Sequence, residues 1–237
     1  MSRIGRGLAG RLLYWRDLGR YRRHADAARY PITRRWPIYR DRFRTAGELG
    51  EYFHQDLWAA RKLYRDRPAR HVDVGSRIDG FIAHCLVFME LEAVDIRPLA
   101  RPPAGLRFVQ ADASRMAEFA DGSIASLSSL HAAEHFGLGR YGDAIEPEGH
   151  IAFMRALQRV LAPGGRLYFS VPVGRAQKIE FNAHRVLRTA TVLAAFDQLR
   201  LVSFALVRSD GTLLEDVAPE EADRVDYGCG LFEFTRP

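Results

Sequence analysis

Cysteine is almost absent. Cys85 and Cys229 are the only two in 237 residues, with no CxxC pair and no Cys/His ligand spacing, so neither a disulfide framework nor a structural zinc site is expected, and no metal site is assigned. Each reads as a small buried packing residue. Long apolar runs are missing too. No stretch of about 18 uncharged apolar residues occurs, and the short apolar stretch near Leu12 is interrupted by arginines. That excludes a spanning helix and leaves no convincing signal peptide, so the expected compartment is the cytoplasm. Internal repeats and low-complexity tracts are also lacking.

What remains is a chain with 47% hydrophobic residues, enough for one substantial α/β domain with an appendage. The net charge of +6 is unevenly spread. Residues 1–44 hold 13 arginines against Asp17, Asp26 and Asp41, a balance of +10, while the remainder carries 22 basic against 26 acidic residues, or −4. The chain therefore divides into a basic N-terminal arm and linker, 1–44, and a mildly acidic domain, 45–237. A nucleic-acid-binding domain is unlike this distribution, and only the arm favours anionic partners. In the arm, Ile4, Leu8, Leu12, Trp15 and Leu18 follow helical spacing among Arg3, Arg6, Arg16, Arg20 and Arg23. That pattern suits a basic helix lying on an anionic membrane, peripheral at the inner membrane, and equally a solvated arm or one packed on its own domain. Gly5, Gly7 and Gly10 weaken the helix, and Pro31 and Pro37 mark an extended linker.

The domain opens on a capping-box signal, Thr45-Ala46-Gly47-Glu48, followed by Leu49, Phe53, Leu57, Ala60 and Leu63 at helical spacing. His54, Gln55 and Asp56 on that helix either reach a cofactor or form a solvated face. From His71 the pattern alternates: strands near 71–74, 91–96, 106–110 and 123–130, with a helix near 79–89 after the first. A later helix carrying Phe153, Leu157, Val160 and Leu161 is expected to stop at Pro163-Gly164-Gly165 before a strand at 166–171. A helix near 184–198 and strands at 201–207 and 228–234 follow. Such alternation predicts a mostly parallel sheet with crossover helices.

The candidate site residues fall at strand ends. Val72-Asp73-Val74-Gly75-Ser76-Arg77-Ile78-Asp79-Gly80 joins an apolar strand through a carboxylate and a glycine turn to a helix, where a parallel sheet opens its binding crevice. Asp73 is placed for an ammonium group and Gly75 for close backbone approach. Asp95, 20 residues after Gly75, suits a ribose. Asp112 suits an adenine amine or caps the next helix. Arg77 stands where a close-approach glycine is expected, so its side chain either crowds a ligand or reroutes the loop. After the fourth strand, Leu130 to Asp143 is dense in titratable groups and glycines; His131 or His135 is the candidate general base, with His184 a third.

Val72 to Gly80, Asp95, Asp112, Glu134-His135 and Leu161-Ala162-Pro163-Gly164-Gly165 occur in the order seen in class I S-adenosylmethionine-dependent methyltransferases, which the chain resembles over residues 68–237. More narrowly, Tyr52 to Trp58, Asp73 to Gly80 and Gly137-Leu138-Gly139-Arg140-Tyr141-Gly142-Asp143 resemble the methyltransferase-related domain-of-unknown-function family two-sixty-eight. The resemblance implies a Rossmann-like sandwich on a seven-stranded sheet with its last strand antiparallel. It also implies S-adenosyl-L-methionine as cofactor, held by Asp73, Gly75, Ser76, Gly80, Asp95 and Asp112. The narrower family implies work on a surface glycan or another envelope-related acceptor in polysaccharide biosynthesis. Two functions follow as expectations: O-methylation with His131 or His135 as base, or a non-catalytic methyltransferase-like scaffold for envelope assembly. Nucleic acid ranks last as a partner.

Overall fold

The computed structural model describes residues 3–47 and 49–237, which form two compact units separated at residue 48. In the first, α1 (Arg3–Arg22) leads through a 3-10 turn at Ala25–Ala28 to an extended stretch, 31–39, and a second turn at Asp41–Phe43. The helix runs straight through Gly5, Gly7 and Gly10 despite their low propensity. Gly10 explains itself by close approach: a Cβ there would coincide with the Tyr39 carbonyl. The expected linker thus folds back along its own helix as a strap. Tyr39 packs edge-on against Tyr14 at 5.6 Å, Arg42 pairs with Asp17 at 2.6 Å, and the Tyr21 hydroxyl donates to the Tyr30 carbonyl at 2.7 Å.

In the second unit, α2 (Glu51–Asp66) begins later than the capping-box reading placed it. Its N-cap is Gly50, with no side-chain cap bond, and Thr45 Oγ1 instead donates to the Gly47 carbonyl at 3.0 Å; Glu48 lies outside the described residues. The helix buries Trp58, Ala59, Ala60 and Leu63 and ends where Arg67 takes a left-handed φ of 45°.

Strands β1 (Val72–Val74), β2 (Leu91–Asp95), β3 (Leu106–Gln110) and β4 (Ile124–Leu130) fall where alternation put them. The region expected as a helix near 79–89 holds only a π-turn, Ile78–Ile82, and a short α3 (Ala83–Cys85). Gly80 breaks it with φ −123° and ψ −108°. Next come α4 (Gly149–Val160) and β5 (Leu161–Val173). The helix stops before Pro163-Gly164-Gly165 because Leu161 already pairs with Ile124, and the extra residues form a bulge before Arg166 pairs with Ser126. The helix expected near 184–198 is also shorter. A hairpin of β6 (Lys178–Glu180) and β7 (His184–Val186) takes its first residues, leaving α5 (Thr189–Ala195). β8 (Arg200–Arg208), β9 (Leu213–Leu214) and β10 (Gly228–Thr235) complete the chain.

The main sheet runs β3-β2-β1-β4-β5-β10-β8-β9. It has eight strands where seven were expected; the addition is the two-residue β9 pairing at the edge of β8. As expected, the last strand, β10, is antiparallel, inserted between β5 and β8. Period-two alternation sends Cys229 and Leu231 to the face covered by α2 and α3, and Phe232 and Phe234 to the face covered by α4 and α5. Cys85 and Cys229 are both free and buried. Among the described residues no helix is long and apolar enough to cross a membrane.

Gly10→Ala should drive the strap off α1, because the methyl cannot share space with a carbonyl. The expected outcome is loss of the Tyr14–Tyr39 ring contacts in an NMR spectrum, with the fold of residues 49–237 unchanged.

Candidate active site

The carboxyl ends of β1, β2, β3 and β4 surround one cleft enclosing about 540 Å³, part of it open to solvent. Its walls include Gly75, Asp95, Arg97, Asp112, His131, Ala132, His135 and Tyr141. Parallel strands point their chain ends and the loops after them to this side, which is why residues distant in sequence converge. Gly75 is needed here. Its φ is 77°, and a Cβ would stand 2.9 Å from that of Ala132, so the turn presents bare backbone to the cleft.

Of the expected cofactor residues, Gly75, Asp95 and Asp112 line the cleft, while Asp73, Ser76 and Gly80 do not. Asp73 is buried, and its carboxylate accepts from Ser76 N at 3.1 Å, Ser76 Oγ at 2.6 Å and Ser128 Oγ at 2.5 Å. Burial pushes it up to about 6 against those bonds. The expected role in gripping an ammonium is replaced by one in shaping the loop, because its oxygens are already engaged. Ser76 Oγ also accepts from Leu130 N at 3.2 Å, tying the same loop to β4. Gly80 clears space for Asp56, whose carboxylate would collide with any Cβ there.

Asp95 reaches the cleft but is held by its near neighbour Arg97: Nε at 2.9 Å and Nη2 at 2.6 Å form a two-pronged pair. Arg97 also lies over the Tyr141 ring at 4.7 Å. Asp112 is exposed and accepts from Ser114 N at 2.9 Å, closing a turn rather than capping the expected helix, since no helix lies between β3 and β4. Arg77 does not crowd the cleft. Its backbone has an ordinary φ of −71°, so no glycine is required, and its side chain turns outward to Asp79 at 2.8 Å and over Tyr52 at 5.2 Å.

Both histidines line the cleft. His131 Nδ1 meets Gln55 Oε1 at 2.5 Å. The Gln55 amide is oriented by its nitrogen donating to Asp56 Oδ1 at 3.0 Å and by Ser170 Oγ donating to Oε1 at 2.5 Å. An acceptor at Nδ1 requires the proton to sit there, leaving a lone pair on Nε2. That Nε2 is buried without a hydrogen-bond partner, with Glu51 Oε1 at 3.8 Å. Burial pushes His131 down to about 3, so it is neutral. His135 donates from Nδ1 to the Ala183 carbonyl at 2.8 Å, is lowered to about 4 by burial and then Arg140, and has Glu134 Oε1 3.6 Å from Nε2. His184 does not line the cleft; its Nε2 lies 3.5 Å from Glu180.

Several roles escaped the sequence reading. Glu51, raised by burial, accepts from Tyr227 OH at 3.0 Å, a pairing between the start of α2 and the approach to β10 that no local pattern signals. Glu134 is buried, and burial pushes it up to about 8, so it stays protonated at neutral pH. Arg97 was findable: an arginine two residues after a strand-end aspartate can fold back on it. The glycine string 137–143 is organised by Asp143, whose carboxylate accepts from the Gly137, Gly139 and Tyr141 N–H groups. Arg185 holds the preceding loop by donating to the Glu134, Phe136 and Pro147 carbonyls.

Residues 109–210 match a family model described as Caenorhabditis protein of unknown function, DUF268. No curated protein matches the chain. Among solved structures, N-methyltransferase NodS from Bradyrhizobium japonicum WM9, in complex with S-adenosyl-L-homocysteine, is similar at a TM-score of 0.51 and 12% identity, over 94% of this chain and 98% of that one. The 1,6-didemethyltoxoflavin-N1-methyltransferase of Burkholderia thailandensis, with bound 1,6-didemethyltoxoflavin and S-adenosylhomocysteine, matches at a TM-score of 0.50 and 18% identity over 76% of this chain and 78% of that one. The 4+2 cyclase SpnF matches at 0.53 and 13% over 81% and 86%. At such identities the likeness is one of fold: an α/β Rossmann-like methyltransferase sandwich with a mixed, mostly parallel sheet.

Two outcomes test this geometry. Glu134 has a folded-state pKa above its unfolded one, so its contribution to stability is complete below about 4.5 and is lost as pH rises through about 8. Urea unfolding between pH 6.5 and 8.5 should therefore show stability falling with pH, and Glu134→Gln should flatten that slope. Gly80→Ala should push Asp56 away, at a cost of about 1–3 kcal/mol, and displace Gln55 from His131. The His131 Nδ1 proton resonance should then move or broaden.

Proposed function

We propose that this chain, with its class I methyltransferase fold, binds S-adenosyl-L-methionine in the cleft at the ends of β1 to β4 and methylates a hydroxyl oxygen. The observation that carries the reading is convergence: Gly75 with its bare backbone, the Asp95 and Asp112 carboxylates, and the neutral His131, whose buried Nε2 has no hydrogen-bond partner, line one cleft. Gly75 would lie against the cofactor's methionine part, Asp95 would accept from the ribose hydroxyls and Asp112 from the adenine amine. When bound, the cofactor supplies a methyl carbon already activated by its sulfonium, so the protein's task is alignment and removal of one proton.

His131 is assigned as the base. Its Nε2 would accept the hydroxyl proton as the methyl carbon passes from sulfur to oxygen, the S–C electron pair staying with sulfur so that the neutral thioether leaves, while Gln55, held by Asp56 and Ser170, keeps the Nδ1 proton in place. The acceptor is proposed to be a glycan or another envelope-related hydroxyl compound, supported by the resemblance to the narrower family. A second reading, a non-catalytic scaffold in polysaccharide assembly, is favoured by the Arg97 fork on Asp95, which occupies the ribose carboxylate. SpnF, a cyclase by name, shows that this fold is not tied to one reaction.

Calorimetry with S-adenosylhomocysteine separates the two. For the enzyme, Asp95→Ala should weaken binding about 10- to 100-fold, the scale of charge-assisted hydrogen bonds, and Arg97→Gln should tighten it by freeing the carboxylate. Absence of binding by both the native chain and Arg97→Gln supports the scaffold. With labelled cofactor and glycan acceptors, His131→Gln should lower kcat about 10²- to 10⁴-fold. Because His131 is held down to about 3, the native rate should stay level as pH falls from 7 to 5, where an unperturbed histidine would have protonated.

A further inference from the structure

We infer that α1 docks the chain on an anionic membrane surface through a stripe of Leu8, Leu12 and Trp15. The inference is independent of the cleft and of any reaction there. The sequence offers three fates for the arm; the strap distinguishes between the helix faces. Gly10, Tyr14, Asp17 and Tyr21 lie on one side of α1, and that side is covered by Tyr39, Arg42 and Tyr30 of the strap. Leu8, Leu12 and Trp15 recur at helical spacing on the opposite side, 59%, 74% and 55% exposed. The covered face is thus the polar and tyrosine-bearing one, and the aliphatic face is left outward.

Charge identifies the occupant. All 13 basic residues of 1–44 other than histidine are arginines, and all three aspartates there are already paired, Asp17 with Arg16 and Arg42, Asp26 with Arg29 and Asp41 with Arg44. The surplus is positive, and on the helical projection Arg11 and Arg16 flank the apolar stripe. On the strap itself, Trp36 is 71% and Ile38 59% exposed, with the Arg34 guanidinium over the Trp36 ring at 4.8 Å. An arginine-rich helix that seats leucine and tryptophan below the level of its guanidinium groups matches the layering of an anionic bilayer, phosphate outside and hydrocarbon within. Nucleic acid would satisfy the arginines but has no place for Leu8 and Leu12, which makes it the poorer match.

The test is co-sedimentation of the full chain with vesicles of phosphatidylcholine alone and of phosphatidylcholine with phosphatidylglycerol at roughly three to one. Binding is expected only to the anionic vesicles, with release at high salt. The combined variant Leu8→Gln, Leu12→Gln, Trp15→Gln keeps every charge and alters only exposed side chains; it should bind at least about tenfold more weakly. Its far-ultraviolet circular dichroism spectrum and its calorimetry with S-adenosylhomocysteine should match those of the native chain, so failure here is distinguishable from failure in the cleft. Equal vesicle binding by the variant overturns the inference. So does native protein that ignores the vesicles but binds single-stranded RNA with no change in the variant, or that self-associates in a way the variant abolishes.

Discussion

A single buried carboxylate ties the first strand to the fourth. Asp73 gathers the backbone and hydroxyl of Ser76 and the hydroxyl of Ser128, and Ser76 passes the connection on to Leu130 N. Ser128 Oγ, having given its proton to Asp73, accepts from His71 Nε2 at 2.9 Å, which leaves His71 Nδ1 to accept from Ser126 at 2.8 Å. His71 is held neutral, down to about 3, by burial. Every member is satisfied by another, so the network can lie between apolar layers without an unpaired charge except the one it surrounds. The direction of the loop after β1, and hence the place of Gly75 beside Ala132, follows from it.

A second chain of contacts reaches the cleft from outside the sheet. Helix α2 supplies Asp56, Gln55 and Tyr52, which respectively orient the amide, fix the His131 tautomer and pack on its ring at 4.9 Å. His131 has a φ of 50°, in the left-handed region that histidine enters more readily than most residues. Its backbone N–H is secured by the Ser170 carbonyl and hydroxyl, both at 3.0 Å. The candidate base is therefore positioned from three elements, α2, β4 and β5, and from both of its ends.

Strands were legible because their signal is local: alternation at 91–95 and 106–110 or a short apolar run at 72–74, closed by Asp, Gly or Pro. Helices were less so. At 79–89 the apolar residues suggest a helix, yet Asp56 packs from another element against Gly80 and the backbone leaves helical geometry there. At 184–186 hairpin pairing with 178–180 overrides the same kind of signal. Gly75, Asp95, Asp112, His131 and His135 line one cleft because strand ends in a parallel sheet share one side. Asp73 and Gly80 do not line it, since a motif records that a residue matters to a loop without saying whether it faces inward or outward. Arg77 illustrates the converse: the absent glycine is harmless at a φ any residue can adopt. Glu51, paired with Tyr227 across 176 positions of sequence, carried no signal at all.

The crossing at Gly10 has a thermodynamic side. Many short amphipathic segments are unfolded until a partner or interface induces their helix, and part of the interaction energy is then spent on ordering the chain. Here Tyr39, Arg42 and Tyr30 hold α1 folded in advance, so the cost of ordering is met within the unit whether or not anything else is present. A missing side chain at one glycine is what lets the strap come close enough to do this. Such a helix meets its surroundings as a rigid body, with a fixed set of side chains outward, and its strength of association reflects those side chains rather than a folding equilibrium.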